Sequence, residues 1–415
     1  MPRQTTVHMK RPKALQDFIW LACAIAALFY GYEYFLRVMP SVMISELMTK
    51  YHLNAGQVAA MSAVYYMSYT PMQLLVGVLL DLYSIKRIMA LAAACCTAGA
   101  YLFTLDHITY LYIGRFLIGF GSAFAFVGVL KTATLTLKPK WLPFVSGITT
   151  TLGMLGAISG EFVLVKMLNK FGVFYTNNLV LLMGVILTYT LWMFIPNAQP
   201  NKSQTKGLFQ KTLKQLGTVF KNKTVWMGGF MGLCLYLPTV VLADLWAIKY
   251  LTETYHCTIE KAALISSLIY VGWMVGAPLV GWFANKKMHR FLIVGSAGGL
   301  LVSMLILYTP IQNLPFLAIL FFLIGLLSSV EILTFIISQR ACDAKLSGTS
   351  ISMTNMIIML SGLAQPITGY LLTYLLAQRV PTELAYQYAL AIIPISFACG
   401  LLLAIVYRHQ QFKIK

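Results

Sequence analysis

Long apolar runs separated by short polar or basic turns recur from one end of the chain to the other. A helix of about 20 apolar residues crosses a hydrocarbon layer of about 30 Å, and the chain holds twelve runs of that kind. They fall at 17–40, 55–79, 87–105, 109–131, 142–166 and 173–195, then at 225–247, 262–284, 290–308, 312–336, 347–377 and 386–407. Glycine and proline recur inside them, as membrane helices in close contact tolerate. The polar stretch at 196–223 carries six lysines and divides the spans six and six. The pattern predicts an all-α polytopic membrane protein with twelve transmembrane helices. Its expected parts are a tail at 1–16, a six-helix bundle at 17–195, a linker at 196–223, a second bundle at 224–407 and a tail at 408–415. Two equal bundles imply a pseudo-two-fold axis along the membrane normal, with a path between them.

Charge adds a direction to this picture. Only 10% of the 415 residues are charged, against roughly a quarter in soluble domains. In a soluble protein a net charge of +19 would suggest nucleic acid, but here the basic residues alternate between loops. Twenty-two Lys and Arg fall on the side of the two tails and six on the opposite side. This bias places both tails in the cytoplasm and the chain in the cell inner (plasma) membrane, with lipids as neighbours and no nucleic-acid partner. The seven cysteines and six histidines form no CxxC or Cys/His pattern, and no glycine-rich phosphate loop is present. Neither a metal, a cofactor, ATP nor an enzymatic reaction is therefore expected.

Within the first span the sequence YGYEYFLRVMPSVM, residues 30–43, concentrates polar groups. Glu33 and Arg37 are four apart and share a helix face, which Tyr30 and Tyr34 flank. Charges inside a membrane span are costly, so this face looks into the bundle or a cavity. Arg115 on span 4 and Glu161 on span 5 lie at matching depth, and the four charges can neutralise one another in pairs. Arg37 suits anion recognition, because its planar fork matches a carboxylate or phosphate. Glu33 or Glu161 suits proton uptake, since a carboxylate withdrawn from water holds a proton more readily; Arg115 would tune it by pairing with it. Tyr66, Tyr236, Trp273 and Asn355 are candidates for lining an organic-solute cavity. Asp244, near the far end of span 7, is a candidate gate.

Two loops complete the reading. After span 2 the chain runs GVLLDLYSIKR, with Gly77, Asp81 and Lys86; Gly77 permits close helix contact there. After span 8 it runs GWFANKK, with Asn285 four residues beyond Gly281. On these residues, and on Arg115 followed by Gly119 in span 4, the chain resembles the major facilitator superfamily along nearly its whole length. Leu82, Ser84 and Ile85 depart from the family's loop pattern, and Asn285 replaces the acid of its second copy. The resemblance implies alternating access between two rocking halves, with these loops steadying one state, and the span 4 pattern is similar to that of proton-coupled members. The acid, arginine and Pro-Ser-Val of span 1 resemble the organic-anion symporter and lysosomal dipeptide-carrier branches. The expectation is a secondary transporter, functional as a monomer, moving a small organic anion or dipeptide with protons. Export of drugs or metabolites by antiport, or a non-transporting receptor on the same fold, are the alternatives.

Overall fold

A computed structural model describes the backbone of residues 13–105, 107–197 and 208–413. The basic N-terminal residues, much of the linker and the side chain of Asn285 lie outside what it describes. Among the described residues, eleven segments are long and apolar enough to span a membrane. One of them, Phe144–Phe194, is 51 residues long, too long for one crossing. It breaks at Gly172, whose φ of 75° and ψ of 170° belong to a region that only glycine enters readily. That break yields the twelve spans.

They are α1 (Lys13–Tyr51), α2 (Ala55–Leu82), α3 (Ile85–Leu102) and α4 (Ile108–Thr136). Next come α5 (142–171) and α6 (173–194) on either side of Gly172. The second half holds α7 (Lys223–Thr254), α8 (Ile259–Trp282), α9 (Met288–Tyr308), α10 (Leu314–Arg340), α11 (Ser347–Ala377) and α12 (Thr382–His409). Since α1 begins and α12 ends on one side of the layer, that side is here the terminal side and the other the distal side. Gly276 of α8 lies against Ser329 of α10, and Gly295 of α9 against Val330 of α10. The chain therefore doubles back between α8 and α9, within a backbone that is helical from Ile259 to Tyr308.

Close backbone approach welds each half internally. Gly119 of α4 sits on the backbone of Tyr65 in α2, and Gly325 of α10 sits on the backbone of Ile269 in α8. These are corresponding pairs in the two halves, so the pseudo-symmetry implied by the six-and-six split is expressed in packing. A side chain at either glycine would overlap main chain, the case in which only glycine permits contact. Gly77 differs from the expectation. A β-carbon there meets nothing within 4 Å, so Gly77 itself mediates no close helix contact in the observed state.

Two elements extend beyond their sequence-based limits. α1 runs through Pro40 to Tyr51, because one missing N–H does not end a helix whose neighbours satisfy the freed carbonyl. The linker contains a helix, Leu208–Phe220, hidden in the sequence by its lysines. Its Val219 is buried with Val225, Met353 and Ile357, so the helix docks on the terminal side of the second half. At the turn between α2 and α3, Asp81 pairs with Lys131 of α4, while the Lys86 ammonium lies 5.2 Å from the centre of the Trp192 ring.

Gly172→Ala forces a side chain into the glycine-only region and is expected to cost about 1–3 kcal/mol. Thermal unfolding of purified protein in detergent checks this; an unchanged midpoint would show that the turn carries no strain.

Candidate functional site

Pro40 organises the first part of the site. Its missing N–H leaves the carbonyl of Leu36, four residues earlier, without a helical donor. Arg115 of α4 supplies one: Nη1 donates to Leu36 O at 2.9 Å, and Nη2 to Arg37 O at 3.2 Å. The same guanidinium donates twice to Ser62 O of α2, at 3.4 and 3.2 Å. Fully buried, it therefore stitches α4 to the kinked part of α1 and to α2. The expected pairing of Arg115 with a carboxylate is absent, since the opened α1 backbone and Ser62 take its hydrogen bonds.

One turn away, Glu33 and Arg37 do form an ion pair, 3.4 Å apart and almost fully buried. Tyr65 of α2 completes it, donating to Glu33 Oε2 at 3.0 Å and accepting from Arg37 Nε at 2.9 Å. Tyr34 lies under the guanidinium at 4.1 Å, with Tyr65 and Tyr69 at 5.1 and 5.4 Å, an aromatic cage that suits a cation. Tyr30 donates to the Tyr34 hydroxyl at 3.3 Å. Arg37 Nη1 reaches across to the second half, donating to Tyr236 of α7 at 3.3 Å. Tyr236 packs edge-on to Trp273 of α8, which itself donates to Thr239 at 2.8 Å.

Two further carboxylates sit in matching irregularities. α5 widens to a π-helix at Ser159–Val163 and α7 at Thr239–Trp246; such bulges re-aim side chains and occur often at functional sites. Glu161 lies in the first and Asp244 in the second, both buried. Glu161 Oε1 accepts from Ser266 of α8 at 2.8 Å. Asp244 accepts from Tyr270 of α8 at 2.8 Å and from Tyr66 of α2. Ser266 and Tyr270 are four residues apart, so one face of α8 serves both acids. Asp244 is thus a central tie between the halves, not a residue at the distal rim.

Other cross-half bonds extend this seam. On the distal side, Gly56 N donates to Thr373 Oγ1 at 3.1 Å and Asn169 to Glu260 at 2.8 Å. Toward the terminal side, Asn355 donates to Gln73 at 2.9 Å, where it ties α11 to α2. The observed state is closed distally. Of the candidates, Arg37, Tyr66, Tyr236, Glu161 and Asp244 make bonds across the halves. Glu33 and Tyr34 gather round Arg37, Trp273 packs on Tyr236, and Tyr30 packs on Tyr34 and Phe126 within the first half. Ser266 was beyond reach of sequence reasoning, since one serine in an apolar run carries no signal.

Tyr66→Phe removes a cross-half bond to a charged acceptor, worth about 1.5–3 kcal/mol. Spin labels replacing Lys170 and Lys261, at the distal ends of α5 and α8, report the opening. The distance distribution should gain a longer component; an unchanged distribution would mean that Asp244 does not hold the halves together.

The comparisons with known proteins agree with this architecture. The Major Facilitator Superfamily model matches residues 20–366. YybO of Bacillus subtilis, named an uncharacterized transporter, is 25% identical over 370 residues, covering 82% of this chain and 84% of its own. SauU of Cupriavidus necator, named a probable sulfoacetate transporter, is 23% identical over 380 residues, covering 84% of this chain and 86% of its own. Among solved structures, a bacterial homologue of the human lysosomal transporter Spinster, inward-facing and unoccupied, superposes with a TM-score of 0.72 at 12% identity, covering 95% of this chain and 98% of that one. That likeness concerns the fold. With the family model matching most of its length and both six-helix halves in place, the chain belongs to the major facilitator superfamily.

Proposed function

We propose that this transporter moves a small organic anion together with protons, by rocking its halves around the seam between α1, α5, α7 and α8. The observation that carries the proposal is Arg37. It is an almost fully buried guanidinium at the interface of the halves, held by one carboxylate and two tyrosine hydroxyls. Three of its five N–H groups are engaged in this way and Tyr69 is a further partner, which leaves at least one for a ligand. An incoming carboxylate or sulfonate can take the place of the Tyr236 hydroxyl and of Glu33. This exchange couples binding to the seam, because Tyr236 belongs to the second half. The name of the relative SauU points to an anionic cargo for that protein, which supports the same class here. A dipeptide would engage Arg37 through its carboxylate and Glu33 through its ammonium.

Orientation follows from the loop charges. The positive-inside bias assigns the terminal side to the cytoplasm of the plasma membrane, so the distal closure faces outward. Of the embedded charges, the acids are the groups able to carry a proton, since arginine stays protonated throughout.

Uptake by purified protein in liposomes, with and without an inward proton gradient, tests this against short carboxylates, sulfonates and pooled dipeptides. The wild type should accumulate an anion only with the gradient. Arg37→Ala should weaken substrate affinity on the order of ten- to a hundredfold, as losing a hydrogen bond to a charged group implies. Arg37→Lys should fall short of the wild type for want of the fork. Accumulation that ignores both gradient and substitution would refute the proposal.

A further inference from the structure

The ionisable groups gathered at the seam do not balance. Three carboxylates, Glu33, Glu161 and Asp244, face two guanidiniums, Arg37 and Arg115, and all five are buried. Glu33 is matched by Arg37 in a direct ion pair. Asp244 is held by two tyrosine donors and lies in the field of both Arg37 and Arg115. Glu161 is the odd acid. Among the described residues it has no cationic partner within ion-pair distance, and its Oε2 makes no hydrogen bond. A charged carboxylate stranded in that way would cost several kcal/mol, and such a group neutralises itself instead.

The surroundings of Glu161 fit a neutral acid. Ser266 of α8 donates to Oε1 at 2.8 Å. Ser41 of α1 lies beside the carboxyl group, and its Oγ also lacks a partner. Ser41 is thus close enough to act on Glu161 but is not aligned with Oε2 in the observed state. A hydroxyl both donates and accepts, so Ser41 can serve this carboxyl group with its proton or without it. The other charged group acting on Glu161 is Asp244 of α7, an acid, which disfavours a second negative charge nearby. The π-bulge at Ser159–Val163 aims this acid at the seam, where its hydrogen bond from Ser266 spans the two halves.

We propose that Glu161 carries the coupled proton, with Ser41 and Ser266 as its hydroxyl partners. The inference rests on the proton-coupled reading above. Loaded with its proton, Glu161 leaves the seam neutral and the distal closure intact. When Glu161 releases the proton, the cluster carries one uncompensated negative charge. That charge is relieved by admitting water as the halves part.

The test separates two kinds of transport by Glu161→Gln protein in liposomes. Substrate counterflow needs no net proton movement and is expected to persist. Proton-driven accumulation is expected to fall to the level without a gradient, and its pH dependence to flatten. Proton-driven accumulation at the wild-type level would overturn the assignment, as would loss of counterflow in protein that unfolds at the wild-type temperature. A wild type that shows counterflow but no response to a proton gradient would instead sink the proton-coupled reading. A second measurement uses the wild-type protein alone, in case the variant does not fold. Dicyclohexylcarbodiimide adds to protonated carboxyl groups in apolar surroundings, and mass spectrometry locates the adduct. Among the three acids of the seam, the label should fall on Glu161 at neutral pH. Label on Glu33 or Asp244 with Glu161 unmodified would overturn the proposal, while label on the buried Glu331 of α10 is scored separately.

Discussion

Removing a charge from water inside a membrane is the constraint around which this molecule is arranged. Each buried charge needs a partner, and the partners available decide which helices touch. Arg115 finds its partners in backbone carbonyls, including the Leu36 carbonyl that Pro40 frees. A proline that looks like a defect in α1 thereby becomes an anchor between α1, α2 and α4. Arg37 finds Glu33, Tyr65 and Tyr236. The first two lie in its own half and the third in the other. The guanidinium is thus held by two partners on one side and one on the other, as the proposed parting along the seam would require.

The contrast between contacts within and between halves extends this logic. Within each half, glycines bring main chain against main chain, as at Gly119 and Gly325; dense packing of that kind does not yield by small steps. Between the halves, glycine packing also occurs, as where Gly369 of α11 meets the Ala55 carbonyl of α2, but the polar ties are single hydrogen bonds through side chains of tyrosine, serine, asparagine and glutamine. Each such bond contributes about 0.5–1.5 kcal/mol net, more where one partner is charged. Polar ties of this strength fit the proposal that one substrate opens and remakes the seam while the bundles move as rigid bodies. The division is consistent with alternating access by rocking.

Much of this was legible in the sequence, for physical reasons. Membrane spans announce themselves because every lipid-facing turn must be apolar, so the six-and-six division could be read directly. Glu33 and Arg37 stood out because helical spacing places them on one face. Gly172 lay in the short gap between two predicted spans, and the structure makes it the turn. Asp244 was read as a candidate gate near the far end of its span, and its partners Tyr66 and Tyr270 were not legible, because depth along a helix says nothing about which neighbours surround it. Arg115 was expected to seek a carboxylate, because a sequence does not show that Pro40 has freed a carbonyl nearby. The π-bulges that aim Glu161 and Asp244 have no sequence signature, and neither does the lone Ser266. The Leu208–Phe220 helix was hidden by its lysines. What the sequence misses throughout is the three-dimensional partner of a polar group.

The central claim is that an organic anion and a proton cross together. The most direct measurement records the pH inside liposomes loaded with a fluorescent pH indicator when an inward gradient of the anion alone is imposed. The account predicts acidification of the interior that requires the protein and follows anion entry. Anion entry with no change in internal pH would contradict it, and would leave the buried acids as elements of packing alone.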